Sequence, residues 1–422
     1  MGVPKASVLL LLGLALRECF SFWTGHPSDF ELWVRLGYAM NHGGNPYGVL
    51  PPVPGLSYAD VFSANNMATI AYLPFWPILT GLMFAFYSAT GLQNRFLCYF
   101  MLKQPAILGD VALAYLLYRY VSTRKSSLAG NWALSFWLFV PFTVIISSIW
   151  GMFDSIAISF VAISLMSQGK LRRSFWSGLA VFAKSIPIIY AAPMVLNKPA
   201  RRKDAFALVL TVAIPVVLSV ATILVMRWPI SIVGATIGST VGKEGGSMSI
   251  WDALFYFNYL GLPTPPAQIS GALGYAWIPA LIVLTLVALS RFRVETDHGL
   301  VQALLVCTFA FLIFKAQITE QYALYFFWLA VIDNALWHPE RKRILIAAVT
   351  VAMIYLVVNN YFLLRFLSPV YPGFINFEEI MYKQIGPARY AINFLAGTAF
   401  TLLNLEYLVA VLRHPKTVLK TS

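Results

Sequence analysis

Residues 205–226 read AFALVLTVAIPVVLSVATILVM, a run without a single charged side chain. A bilayer core takes about 20 apolar residues per helical pass, so this stretch is long enough to cross one. It is continuous rather than alternating, which predicts a helix and not a barrel strand. Similar runs recur at about 6–22, 67–90, 97–121, 130–149, 153–168, 174–196, 271–290, 299–316, 321–337, 344–365 and 390–412. The expected fold is an all-α polytopic membrane protein, a bundle of about 11–14 transmembrane helices. Residues 1–422 form one integral membrane domain, with long outer loops at 23–66 and 228–270.

Composition agrees. The chain is 59% apolar and 11% charged, against about 25% charged in soluble domains. That deficit excludes a soluble domain of any size. The formal charge of +13 would suggest nucleic acid in a soluble protein. Here the basic residues lie in short clusters between runs, at Arg124-Lys125, Lys170 to Arg173, Lys198 to Lys203, Arg291 to Arg293, Arg341 to Arg343 and Arg413 to Lys416. They mark the inner side. The opposite loops hold Asp29, Glu31, Asp60, Asp252, Glu378 and Glu379. Cys19, Cys98 and Cys307 have no ligand or disulfide spacing, and no Asn-X-Ser/Thr sequon occurs. The apolar run after Lys5 is expected to be a retained first span rather than a cleaved signal.

The crossings do not balance at two places. Loop 23–66 is outside and Arg124-Lys125 inside, yet two runs lie between them. Segment 174–196 is basic at both ends. Each troublesome segment carries a lysine just before a proline, Lys103-Gln-Pro105 and Lys184-Ser-Ile-Pro187. Proline breaks helices, and a charge in mid-membrane costs at least about 2.5 kcal/mol. Both segments are therefore expected to be broken or hairpin helices whose lysines meet a wet cavity near the outer face. A paired or snorkelling lysine without a role is the alternative.

The first outer loop reads His26-Pro-Ser-Asp29-Phe-Glu31-Leu-Trp33 and runs on to Asn45-Pro46-Tyr47. Phe30, Trp33, Val34, Leu36 and Gly37 fall largely on one stripe, which predicts an amphipathic interfacial helix over 29–42. Ser28 or Asp29 could cap it, or Asp29 could serve as a general base at a pocket rim. Asp154, in Trp150-Gly-Met-Phe-Asp154-Ser155, sits at another outer turn, again as a cap or a functional acid. In Lys315-Ala-Gln-Ile-Thr-Glu320-Gln321-Tyr322, Lys315 or Gln321 could meet a lipid phosphate, or Lys315 could pair with Glu320. Asp110, two helical turns after Lys103, is the expected partner of that lysine. His26 and His42 could hold a metal with Asp29 or Asp60, but no compact ligand motif is present. No metal or other cofactor is expected, and no P-loop, dinucleotide fingerprint or Ser-His-Asp pattern occurs.

At these residues the chain resembles the GT-C glycosyltransferases, multi-pass enzymes that take a sugar from a polyprenyl or dolichyl phosphate. An acid soon after the first span, an interfacial helix and then Gly44-Asn45-Pro46-Tyr47 is similar to their first external loop. Trp150-Gly-Met-Phe-Asp154-Ser155 resembles the Trp-Gly-Gln-Phe-Asp turn of the branch that includes the dolichyl-phosphate-glucose glucosyltransferases, with Met152 in place of Gln. Lys184 with Pro187 and Pro193 resembles that branch's Lys-x-x-Pro segment. Thr319-Glu320-Gln321-Tyr322 resembles its later His-Glu motif, with Thr319 where His is common. Ile250-Trp251-Asp252 is similar to its middle-loop tryptophan motif, and Asp29-Phe-Glu31 fits the GPI mannosyltransferase relatives. Together the matches run from about residue 28 to 330.

The resemblance implies an inverting hexosyltransferase, with mannose or glucose as the sugar. The donor would be a polyprenyl or dolichyl phosphate, and the acceptor a glycan, glycolipid or protein. Asp29 would be the base. Glu31, Tyr47, Lys103, Asp154, Lys184, Glu320, Gln321 and Tyr322 would bind substrate, all on the extracytoplasmic face. The compact loops lean towards a prokaryotic plasma membrane rather than endoplasmic reticulum. A transporter or flippase for lipid-linked saccharides is the alternative. Long acidic outer loops against short basic inner ones favour an enzyme working on one side.

Overall fold

The computed structural model describes residues 5–57, 70–196, 202–231, 247–263 and 267–413, and every regular element among them is helical. Asp60 and most of the large middle loop, 232–246 and 264–266, lie outside the described residues. In chain order the helices are α1 (Ala6–Ser21), α2 (Asp29–Asn41), α3 (Phe75–Ala89), α4 (Arg95–Ser122), α5 (Ser127–Phe139), α6 (Pro141–Trp150), α7 (Asp154–Met166), α8 (Lys170–Ala183), α9 (Ile186–Val195) and α10 (Arg202–Val225). They continue as α11 (Ala253–Tyr259), α12 (Ala267–Gly274), α13 (Trp277–Arg291), α14 (Asp297–Phe314), α15 (Leu324–Leu336), α16 (Lys342–Asn359) and α17 (Gly373–Arg413).

Among the described residues, six helical segments are long and apolar enough to cross a membrane: α4, α10, Gly271–Arg291, α14, Pro339–Asn359 and Lys383–Arg413. The bent pair α5–α6 would make a seventh. Several runs read from the sequence as full spans form shorter helices, because protein and not lipid surrounds much of them. α15 has 13 residues, nearly all buried, and at 1.5 Å per residue is about 20 Å long. α10 and α13 show most of their surface outward, whereas α14 is enclosed by the bundle.

α3, with 15 residues, packs on α2 and is shorter than a membrane core. Of the two runs between the first outer loop and Arg124, only α4 is long and apolar enough to cross. α4 also runs unbroken through Lys103 and Pro105, against the expectation of a broken helix. Proline is tolerated in a membrane helix when neighbouring groups re-satisfy the freed backbone. The break expected at Lys184 does occur. α8 stops at Ala183, Lys184 is extended (φ −155°, ψ 138°), and Pro187 lies in the first turn of α9.

A further break was not foreseen. Pro141 forces Val140 off the helix (ψ 122°), and α5 and α6 meet at a bend of 53°. α6 ends in a π-turn closed by Gly151 at φ +90°. A second irregular segment follows α16, where Tyr361, Phe362 and Leu363 are consecutively left-handed, at φ 48°, 58° and 67°.

The helix expected at 29–42 is present, but it does not lie with one face free at the interface. Phe30, Trp33, Val34 and Leu36 are buried, and so are Glu31 and Arg35. Glu31 Oε1 accepts from Arg35 Nε at 3.0 Å, and Arg35 also donates to the Leu50 carbonyl. Asp110 does not pair with Lys103. It takes Arg17 Nε at 2.7 Å, the Trp137 indole at 2.9 Å and the hydroxyls of Ser147 and Ser155. One carboxylate thereby ties α1, α4, α5, α6 and α7 together.

Candidate active site

The sequence beside Asp29 builds its setting. α2 begins at Asp29, and no side-chain cap comes from Ser28. Instead the Asp29 amide donates to His26 Nδ1 at 3.1 Å. Burial, aided by the charge of Arg365, lowers the His26 pKa well below its ordinary value, so the ring is neutral at pH 7 and its Nδ1 can accept. Asp29 Oδ2 also lies 3.3 Å from that nitrogen. The same oxygen takes the Trp150 indole N–H at 2.9 Å, and 35% of the side chain faces solvent.

Trp150 is itself fixed. It stacks on His26, with centroids 4.9 Å apart and planes at 16°, and Phe366 tilts against both rings. The Phe366 carbonyl takes the Gly25 amide at 2.9 Å. Chain segments far apart in sequence therefore close around one carboxylate. Gly151 makes this possible, because at φ +90° a Cβ would stand 2.6 Å from the Phe30 ring. Gly151→Ala should cost about 2–4 kcal/mol from left-handed strain and overpacking together. A denaturant titration in detergent checks it.

Lys103 is buried beside the same segments, with its ammonium 5.1 Å from the Phe30 ring centroid. Its Nζ donates to Thr24 O at 2.6 Å, Thr24 Oγ1 at 3.0 Å and Ile149 O at 3.3 Å. An ammonium has three protons, and all three go to protein oxygens that hold the first loop to the end of α6. Lys184 is also paired. Its Nζ lies 2.7 Å from Asp154 Oδ2, both side chains are buried, and the rings of Phe153, Tyr322 and Tyr72 surround the ammonium at 5.0, 5.5 and 5.7 Å. The wet cavity expected at this lysine is an aromatic cage. Tyr72 lies within electrostatic reach of Asp29, Asp154 and Tyr322, linking the cage to the rim. Tyr47 is buried and donates to the Tyr72 carbonyl at 3.0 Å.

Glu320 completes the outer cluster, with Gln321 buried beside it. Burial raises its pKa, the charge of Asp29 raises it further, and Arg365 acts in the opposite sense. Glu320 Oε1 accepts from Asn359 at 2.7 Å, not from Lys315, which sits over the Trp277 ring. Asn359 in turn accepts from Arg389 at 2.8 Å. Asp252 lies in the same electrostatic field but is engaged locally, taking the Ser247 amide at 2.9 Å.

Burial pushes the Asp252 carboxyl up to about 6, from 3.8. The folded state therefore binds this proton more tightly. Asp252 makes stability fall as pH rises from about 4 through 6. Asp252→Asn keeps an acceptor for Ser247, so it should raise the melting temperature at pH 7.5 and flatten the slope between pH 4 and 6.

His26 and His42 lie at opposite ends of α2 and share no site; His42 stacks on Tyr38. Of the residues expected from the sequence, Asp29, Asp154, Lys184 and Glu320 gather in this region, whereas Trp150 as the partner of Asp29 was not expected, nor were Phe366, Asn359, Arg365 and Arg389. The last four lie beyond the last motif, and Arg365 falls in a loop whose apolar neighbours conceal it.

No protein-family model matches the chain, and no curated protein matches it. Solved structures do resemble it. The crystal structure of ArnT from Cupriavidus metallidurans bound to undecaprenyl phosphate is 13% identical, with a TM-score of 0.47 over 95% of this chain and 77% of that one. The same protein in the apo state is 12% identical, with a TM-score of 0.48 over 96% and 76%. Likeness at this level leaves the chemistry of the chain to its own residues.

Proposed function

We propose that the outer cluster is the active site of a membrane glycosyltransferase of the GT-C kind, moving a sugar from a polyprenyl phosphate to an acceptor hydroxyl. The observation that carries this reading is the Asp29 carboxylate. It is aimed by an indole N–H, lies beside the His26 ring that takes its backbone amide, and is 35% exposed.

Asp29 accepts the proton of the acceptor hydroxyl while the oxygen attacks the anomeric carbon. The sugar–phosphate bond breaks on the opposite face, so configuration inverts. The departing lipid phosphate carries its own charge and needs no proton. It does need a cation nearby. Arg365, whose charge reaches both His26 and Glu320 at the rim, is the cation proposed for it. Glu320, Gln321 and Tyr322 are proposed to hold the sugar or acceptor. The Asp154–Lys184 pair is proposed to support the wall behind them. By resemblance alone, the sugar proposed is a hexose, mannose or glucose.

The test uses purified protein in liposomes with labelled polyprenyl-phosphate mannose or glucose and an acceptor extract. A new glycosidic bond is the expected result. Label that crosses the bilayer without forming one would overturn the enzyme reading in favour of a transporter. Trp150→Phe removes the indole donor and keeps an aromatic ring. It should lower turnover about 10-fold or more, in line with the loss of one charge-assisted hydrogen bond, with little change in KM.

A further inference from the structure

The basic face of the bundle, opposite Asp29, holds a cluster that the proposed reaction does not use. His298 lies in the first turn of α14, His338 just past the end of α15, and Asp333 within α15. The two imidazoles approach through their Nε2 atoms at 3.2 Å. Ligand atoms of all three residues lie within 4.8 Å of one another.

We infer that these residues form a binding site for a divalent transition metal ion of the zinc type, clamping the inner ends of α14 and α15. Three features of the geometry support this. First, two nitrogens bound tetrahedrally to zinc at about 2.0–2.1 Å stand about 3.3 Å apart, close to the spacing seen. Second, His338 Nδ1 lies 2.9 Å from Glu340 Oε1. A metal-bound histidine commonly donates its other N–H to a carboxylate in this way, which fixes the tautomer and leaves Nε2 as the ligand atom. Third, Asp333 is held from behind by Gln302 at 2.6 Å, Arg341 at 2.9 Å and the Tyr407 hydroxyl at 2.7 Å. It can supply the third ligand directly or through a metal-bound water. Two imidazoles favour zinc, nickel or cobalt over magnesium or calcium. The Arg341 charge beside Asp333 opposes a cation, so affinity in the micromolar range is expected rather than that of a closed structural site.

The site is remote from the outer cluster, so it stands or falls separately from the proposed transferase. The test takes the full chain in detergent, free of any histidine tag and stripped with chelator. Zn2+ is titrated in competition with a chromophoric chelator, and Co2+ is followed by its visible absorption. One equivalent should bind, with the intense bands of tetrahedral Co2+, and Zn2+ should raise the melting temperature. His298→Ala and His338→Ala should each weaken binding by about 10-fold or more, and Glu340→Gln by about 10-fold, whereas His42→Ala should leave it unchanged. If either histidine variant melts lower without metal, Glu340→Gln decides the matter, since that side chain is 58% exposed. Absence of binding in the wild type, or binding unaltered by His298→Ala with His338→Ala, would leave only a hydrogen-bonded histidine pair and overturn the proposal.

Discussion

Asp29→Asn is expected to lower sugar transfer by about a thousandfold, within the range of about 10²–10⁴ for loss of a general base. KM for the lipid donor and the melting temperature should stay close to wild type. The amide keeps an oxygen for the Trp150 indole, and the backbone N–H of residue 29 still reaches His26, so position and fold are preserved while basicity is lost. Initial rates with a labelled polyprenyl-phosphate sugar, beside a melting curve, separate the two quantities. If Asp29 acted only in capping α2, Asn would cap as well as Asp, and the variant would leave both the rate and the stability close to wild type. Asp29→Glu sharpens the comparison. It restores the base but moves the carboxylate out of reach of the indole, so partial activity is expected.

Lys184→Met should destabilise the protein by about 3–5 kcal/mol, because it strands the buried Asp154 carboxylate in an aromatic wall. Asp154→Asn should cost a similar amount by stranding the ammonium. Replacing both together with apolar residues should recover most of the loss, since a buried pair contributes little net stability over hydrophobic packing. SDS titration of helix content in mixed micelles reads all three. Additive losses in the double variant would mean that the two charges serve separate partners, and Lys184 would return as a ligand for the donor phosphate.

The helical class and the outer acids were legible in the sequence because each depends on local pattern. Long apolar runs become helices wherever they pack, and an acid that follows such a run stays near its end. What the sequence concealed was pairing. Asp110 lies on the same helical face as Lys103, yet Arg17, from a different helix, holds it. Trp150 sits 121 positions from the carboxylate it aims. Neither contact leaves a trace in spacing. The broken helices divide in the same way. Lys184 ends its helix because Pro187 opens the next one, whereas Pro105 is absorbed by a long helix in a packed setting. The bend at Val140 does have a local signal in Pro141, but no charge beside it marks the break as Lys184 marks the one before Pro187. Glu31, read as a candidate contact for substrate, instead forms a buried brace with Arg35.

The contrast between enclosed and lipid-facing helices governs how this protein meets membranes of different thickness. A bilayer that is too thick or too thin is accommodated by tilt of the helices that touch it, and here those are chiefly α10 and α13. α14 and α15, whose outer ends adjoin Glu320, are insulated by protein on nearly every side. The depth of the rim at Glu320 is therefore set within the bundle. Changing acyl-chain length should alter the orientation of the outer helices while leaving the distance from Asp29 to Glu320 unchanged.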